Sequence, residues 1–271
     1  MSLPRYLSRP PLLITMALVI AAQFIPLPYV VMQPGPAYDL LGKNVSFTSE
    51  TTTSDSVNSS KSSKSLLSTY PVSGKLYALT VLVSNPEAHI TAPIIIAGWI
   101  DGHSVVLPRD FVYPEKIDSK KVQAEGEREM QGAQDLAAIA AAMFLAKTDP
   151  QLAKELRSSK VSFELKETGG PSAGLGFAIA IVAKIKAPSL IDGRKIAVTG
   201  TINETGTVGA IGGIDQKLIG ASVKGAKVIL IPAGNCSDIT RKPAHLQIVP
   251  IHSLNEAIHF LSGAITPAPH C

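Results

Sequence analysis

Cysteine is nearly absent: the chain of 271 residues has only Cys236 and Cys271. Two cysteines exclude a disulfide-built scaffold, their spacing matches no zinc pattern, and at most they form one bridge. The six histidines show no HExxH spacing and none stands beside an acidic residue at a ligand interval, so a metal enzyme is disfavoured. Gly-Lys-Ser/Thr does not occur, which excludes a phosphate loop of the usual kind. Aromatic residues make up only 5% of the sequence against 45% hydrophobic residues overall, so the core must be filled by Ala, Val, Ile and Leu, as where helices pack on a sheet. Basic and acidic residues nearly balance, 25 against 21. The basic residues are scattered and not interleaved with aromatics, which argues against a nucleic-acid partner.

What the sequence does contain begins with a long apolar run. Leu12 to Met32 carries no formal charge and is about the 20 residues a helix needs to cross a bilayer. The run predicts a transmembrane anchor over 12–32 behind a cytoplasmic tail, 1–11. Pro26 and Pro28 fall in its last third and predict a kink or an end there. No small-x-small site follows the run, which favours an uncleaved anchor over a signal peptide. Arg5 and Arg9 precede it, so the positive-inside rule places the amino terminus in the cytoplasm and the remainder outside, at the cell membrane.

Beyond the anchor, 33–73 reads as an extracytoplasmic linker, with Ser46–Ser65 dominated by Ser and Thr. Lys75–Val83 is β-branched and bounded by Gly74 and Asn85-Pro86, and predicts a strand. Ile94–Ile100 is apolar throughout and fits either a strand or a buried helix. Met130, Leu136, Ile139, Ala140, Met143 and Phe144 recur at helical spacing and predict an amphipathic helix over 125–147. Val161–Leu165 alternates like a half-exposed strand, and Leu175–Ile185 reads as a buried helix. Strands at 196–200 and 228–232 and helices at 214–223 and 254–261 complete a unit over 74–263, followed by a tail, 264–271. Strands and helices alternate without a strict βαβ rhythm, so the predicted class is α+β.

Two segments could carry chemistry. In Gly169-Gly170-Pro171-Ser172-Ala173-Gly174 a serine stands among glycines at the start of a buried helix. Its hydroxyl would be accessible, and unpaired backbone amides at the helix start, those of Gly170 and Ser172, could hold an oxyanion. The pentapeptide 170–174 also matches Gly-x-Ser-x-Gly, and Asp192 or Asp238 followed by His245, His252 or His259 could complete an α/β-hydrolase triad. The second segment is Gly212-Gly213-Ile214-Asp215-Gln216-Lys217-Leu218. A lysine in the first turn of an otherwise apolar helix would be pushed toward its neutral form by burial and by the positive end of the helix dipole, the condition for a general base. A lysine that merely snorkels to solvent is the alternative reading.

Taken in order, Gly170-Pro171-Ser172-Ala173-Gly174, Val198-Thr199-Gly200, Gly212–Leu218 and Val228-Ile229-Leu230-Ile231-Pro232 resemble the proteolytic domain of Lon. The resemblance implies a ribosomal protein S5 domain 2-like fold, Ser172 as nucleophile, Lys217 as its base, Thr199 as the hydroxyl that orients the lysine, and no cofactor. It further implies an endopeptidase acting on protein or peptide substrates through an acyl-enzyme, and a homo-oligomer. No ATPase module is expected. The anchor with Val31–Ala37, Val106–Arg109 and the helix around Met130–Gln134 is similar to membrane-anchored, PDZ-containing Lon-like proteases. Between Lys147 and Val161, where that resemblance would put a PDZ domain, the interval is too short to hold one. Gly169 stands where Lon usually has an acidic residue. The competing expectation is a non-catalytic, membrane-tethered binding or assembly module with a Lon-like fold. Cys236 and Cys271 are expected either to bridge or to remain a buried thiol beside a frayed tail.

Overall fold

A computed structural model describes residues 10–42, 45–49, 67–113, 118–165, 168–264 and 270–271. Its elements in chain order are α1 (Pro10–Ala22), β1 (Tyr29–Asp39), β2 (Val45–Ser49), β3 (Lys75–Val83), α2 (Ala92–Ile100), β4 (Val105–Pro108), α3 (Arg109–Val112), α4 (Ser119–Ala146), α5 (Pro150–Arg157), β5 (Ser159–Phe163), α6 (Gly174–Ile185), β6 (Lys195–Val198), β7 (Thr201–Ile202), β8 (Val208–Gly209), α7 (Ile214–Val223), β9 (Val228–Pro232), β10 (Gln247–Ile251) and α8 (Leu254–Leu261). They form two compact units, Met1–Gln33 with Leu82–Lys121, and Pro34–Val81 with Val122–Cys271.

The second, larger unit has a mixed α+β architecture. Its sheet runs in the order β10-β9-β6-β3-β1, and the pairs β3–β6, β6–β9 and β9–β10 are parallel. Successive strand residues point to opposite faces, and each face buries a separate core. Leu76, Ile196, Val198, Leu230, Val249 and Ile251 join α4, α5, α6 and α8 on one side. On the other, Leu79, Ala197, Ile229, Ile231 and Ile248 join α7. Helix α6 is apolar on all sides because it is covered on all sides: every residue from Gly174 to Ala183 is buried. The alanines of α4 at 133, 137, 140 and 141 are buried against the same cluster and let that helix approach closely.

Caps set the helix starts. Asp149 accepts the Leu152 amide ahead of α5, and Ser253 accepts the Glu256 amide ahead of α8 while Glu256 reaches back to the His252 amide.

Several expectations need correction. The apolar run 12–32 is not one helix. Helical winding continues past Ala22 only through the turn bonds from Gln23, Phe24 and Ile25. Pro26 ends it, and Tyr29–Met32 already belong to β1. Helix α1 has 13 residues, roughly 20 Å at 1.5 Å per residue, against a hydrocarbon core of about 30 Å. Among the described residues no helix is long and apolar enough to cross a membrane.

The predicted linker is in part sheet. Pro34–Asp39 continue β1, and Val45–Ser49 form β2, antiparallel to β5 from Val45 opposite Phe163 to Ser49 opposite Ser159. The serines and threonines there adopt the strand because β5 supplies hydrogen-bond partners. The rest of the Ser/Thr-rich stretch, 50–65, lies outside the described residues. The ambiguous run 94–100 is helical. The interval between Lys147 and Val161 holds α5 and the start of β5.

Cys236 and Cys271 form a disulfide with Cα atoms 5.3 Å apart. Cys236 sits in a 3-10 turn after β9, and the closed loop has a sequence separation of 35, for which loop-closure entropy gives roughly 3–4 kcal/mol. Thermal unfolding with and without reductant checks this: reduction should lower Tm by several degrees, and an unchanged Tm would remove the bridge from the account.

Candidate active site

The turn that carries Ser172 is held from two sides. Strand β6 ends at Val198, and the next two residues clamp the serine: Gly200 N–H and the Thr199 hydroxyl donate to the Ser172 carbonyl at 2.8 and 3.2 Å. The Gly200 carbonyl in turn accepts from Leu175 N–H at 3.0 Å, fixing the first turn of α6 to the same strand end. Position 200 has φ 154, and a Cβ there would stand 2.9 Å from the Val208 side chain, so only glycine passes between β6 and α6 without displacement.

From the other side α4 presses against the residues just before the serine. A Cβ on Gly169 would lie 2.8 Å from the Gly126 Cα, so two glycine backbones are in direct contact. Gly170 adopts φ 90 and donates its N–H to the Gly126 carbonyl at 2.9 Å. This corrects one expectation: the Gly170 amide is spent on α4 and is not free for an oxyanion. Among the described residues no backbone acceptor meets the N–H of Ser172 or of Ala173, which leaves these two amides at the helix start as the candidate oxyanion donors.

Lys217 comes from the opposite face of the sheet. Gly213 takes a left-handed conformation with φ 66 and starts α7, whose first turn places Lys217 among buried residues at 3% exposure. Its Nζ lies 2.8 Å from Ser172 Oγ and 3.1 Å from Thr199 Oγ1, within hydrogen-bond reach of both. Burial pushes the Lys217 ammonium from its ordinary 10.5 down to about 7. Thr199 is fully buried. Because its own proton goes to the Ser172 carbonyl, its oxygen can only accept from Lys217. That fixes one N–H of a neutral amine and leaves the lone pair for Ser172.

The hydrolase-triad alternative is not assembled. Asp238 accepts from Asn235 and Ser237, His252 pairs with Glu256, and the Ser172 side chain bonds to Lys217. Among the described residues no group of His, Cys, Asp and Glu could hold a metal.

Residues that local patterns did not single out also shape the site. Buried Asn235 donates to the Ile211 carbonyl and accepts the Ile211 amide at 2.9 and 3.0 Å, holding the glycine-rich segment that leads into α7. Gly126 offered one signal, a glycine inside an otherwise regular helical stretch. A cleft of about 840 Å³ opens beside the Ser172 turn, lined by Val122, Gln123, Gly126 and Glu127 of α4 and by Leu165, Thr168 and Gly169.

Residues 166–264 match the Lon protease (S16) C-terminal proteolytic domain. Ser172, Thr199 and Lys217 all fall inside the matched stretch. Curated relatives include a Lon protease of Xanthomonas oryzae pv. oryzae, 36% identical over 104 residues, covering 36% of this chain and 12% of that protein. Lon protease 1 of Sorangium cellulosum is 40% identical over 97 residues, covering 33% of this chain and 11% of that protein. A Lon protease of Mesomycoplasma hyopneumoniae is 34% identical over 96 residues, covering 34% and 11%. These matches span about an eighth or less of those proteins' length.

Proposed function

We propose that this chain is a serine endopeptidase in which Lys217 is the general base for Ser172. The observation that carries the reading is a buried lysine, driven toward neutrality at about pH 7 by burial, in hydrogen-bond contact with the hydroxyl of a serine at a helix start. A lysine only needed for structure would have a carboxylate partner or reach water. Here it meets two hydroxyls.

In the reaction neutral Lys217 takes the Ser172 proton as Oγ attacks the substrate carbonyl. The N–H groups of Ser172 and Ala173 donate to the developing oxyanion. Lys217, now an ammonium held by the Thr199 oxygen, returns its proton to the leaving amine, and water repeats the sequence on the acyl-enzyme. Peptide or unfolded-protein substrates suit the open cleft along α4 and Leu165–Gly169. No nucleotide enters these steps, and the sequence carries no phosphate loop.

Membrane attachment belongs to the same reading. Helix α1 has apolar side chains on every side and is exposed at each residue from Leu12 to Ala22, and a helix apolar all round requires an apolar surrounding. The Cys236–Cys271 bridge suits an oxidising compartment for the larger unit. The purified chain should cut an unfolded polypeptide such as a casein with no nucleotide added. An absolute requirement for ATP, or no cleavage at all, would overturn the proposal.

A further inference from the structure

The smaller unit has very little core for the apolar surface it exposes. Its buried large apolar residues are Val30, Val31, Ile90 and Ile95, with Leu27 and Val106 packed against the last three. Yet among the described residues every exposed large apolar side chain except Tyr70, Ile139, Met143 and Val223 belongs to this unit. Within this unit, apart from α1, the largest exposures are at Phe24 (72%), Trp99 (67%), Ile100 (78%) and Phe111 (78%). Helix α2 explains how such side chains come to face outward. Ile95 and Gly98 point inward, and a Cβ at position 98 would stand 3.1 Å from the Val106 side chain, so the helix lies flat on the strands. Its other residues from Pro93 onward are exposed and contain no polar side chain except the indole N–H.

The chain segments that lead into these helices are tied together at one place. Leu27 N–H donates to the Ile90 carbonyl at 2.7 Å, tying the chain after α1 to the chain just before α2. The neighbouring Pro28 carbonyl accepts from Arg109 N–H at 2.8 Å, tying the same point to the start of α3. So the chain after α1 is tied at two adjacent residues to the segment before α2 and to the start of α3, which places Phe111 two residues from the tie and Trp99 and Ile100 about one length of α2, roughly 13 Å, from it.

We propose that the smaller unit seats directly on the lipid bilayer, with Trp99 and Ile100 of α2 and Phe111 of α3 inserted at headgroup level around the root of α1. This rests on the membrane reading of α1 and extends it from a tether to a platform. A protein groove covers one face of a helix, whereas α1 needs cover on all faces, and the same lipid phase covers the adjoining patch without a second partner. Asp101 and Asp110, both exposed at the margins of the patch, limit the depth to the interface, where an indole with its N–H among headgroups is favoured. The consequence is a fixed height and orientation of this unit over the membrane.

Trp99 is the chain's single tryptophan, so native fluorescence reads the platform without any substitution. The full chain is reconstituted into vesicles of phosphatidylcholine and phosphatidylglycerol, and the fraction that floats with the vesicles is measured. Trp99 should be shielded from acrylamide and should lose most of its emission to lipids brominated high on the acyl chain. Emission that stays open to acrylamide and untouched by brominated lipid, in protein that does float, would overturn the platform and leave the α1 attachment standing. Shielding from both quenchers would assign the patch to a second copy of the chain and overturn the bilayer as its occupant. Protein that fails to float would overturn both readings.

Discussion

Ser172→Ala should abolish peptide hydrolysis, with kcat falling by about 10⁴-fold or more, because removing a nucleophile leaves only oxyanion and binding contributions. The fold should be retained. The Ser172 carbonyl, not its hydroxyl, takes the bonds from Gly200 and Thr199 that fix the turn, and the alanine variant keeps that carbonyl. The comparison is made on a fluorogenic peptide or on casein, with circular dichroism and Tm as controls. Activity persisting in clean Ser172→Ala protein would mean that the Ser172–Lys217 contact is structural and that the chain is a binding module.

Lys217→Met should have two effects of opposite sign. Activity should fall by a similar factor, since no other base touches Ser172 Oγ among the described residues. Stability should rise. Lys217 is charged in the unfolded chain below its ordinary 10.5 but is neutralised in the folded protein above about 7. Between those values the unfolded state therefore holds the extra proton, and wild-type stability increases with pH across that window. At pH 7 and below the buried lysine carries its full penalty. At about 1.4 kcal/mol per pH unit, less the loss of two hydrogen bonds and some packing, methionine should gain roughly 1–3 kcal/mol at pH 7. The gain should shrink toward pH 10.5. Denaturant titrations of both proteins at pH 7 and pH 10 measure this difference directly; a variant less stable than wild type at pH 7 would show that burial does not penalise the lysine. Lys217→Arg should be inactive as well, because arginine keeps its proton in any usable pH range.

The parts of the fold that depend on local periodicity were readable from the sequence. The β-branched runs at Lys75–Val83 and Val228–Pro232 and the helical spacing at Ile214–Val223 and Leu254–Leu261 appear in the structure at those boundaries. Apolarity without periodicity was less informative. The run Leu12–Met32 contains a helix, a proline-terminated turn and the beginning of a strand, because Val30 and Val31 are drawn into pairing with Leu107 and Val106. Ile94–Ile100 could not be assigned by pattern, since α2 buries only Ile95 and Gly98 and leaves the rest of an apolar sequence exposed.

At the site the residue types were legible and their contacts were not. Ser172 and Lys217 are 45 residues apart, and nothing local brings them together; the match to Lon pointed to the pair, and the sheet between α6 and α7 provides the geometry. The Gly170 amide illustrates the limit. From the sequence it is a free donor at a helix start. Its partner, the Gly126 carbonyl, belongs to a helix whose contact with that turn no local pattern specifies.

The most direct test of the central claim is the pH dependence of Ser172 acylation. Wild-type protein is exposed to a serine-reactive active ester in excess, and the rate of appearance of the acyl adduct is followed by intact mass, with the site located by peptide mapping. If neutral Lys217 activates Ser172, the adduct forms on Ser172 and its rate rises about tenfold per pH unit in acid, levelling off above an inflection near pH 7. A rate that keeps climbing through pH 9 with no inflection, or an adduct that forms equally fast in Lys217→Met, would contradict it.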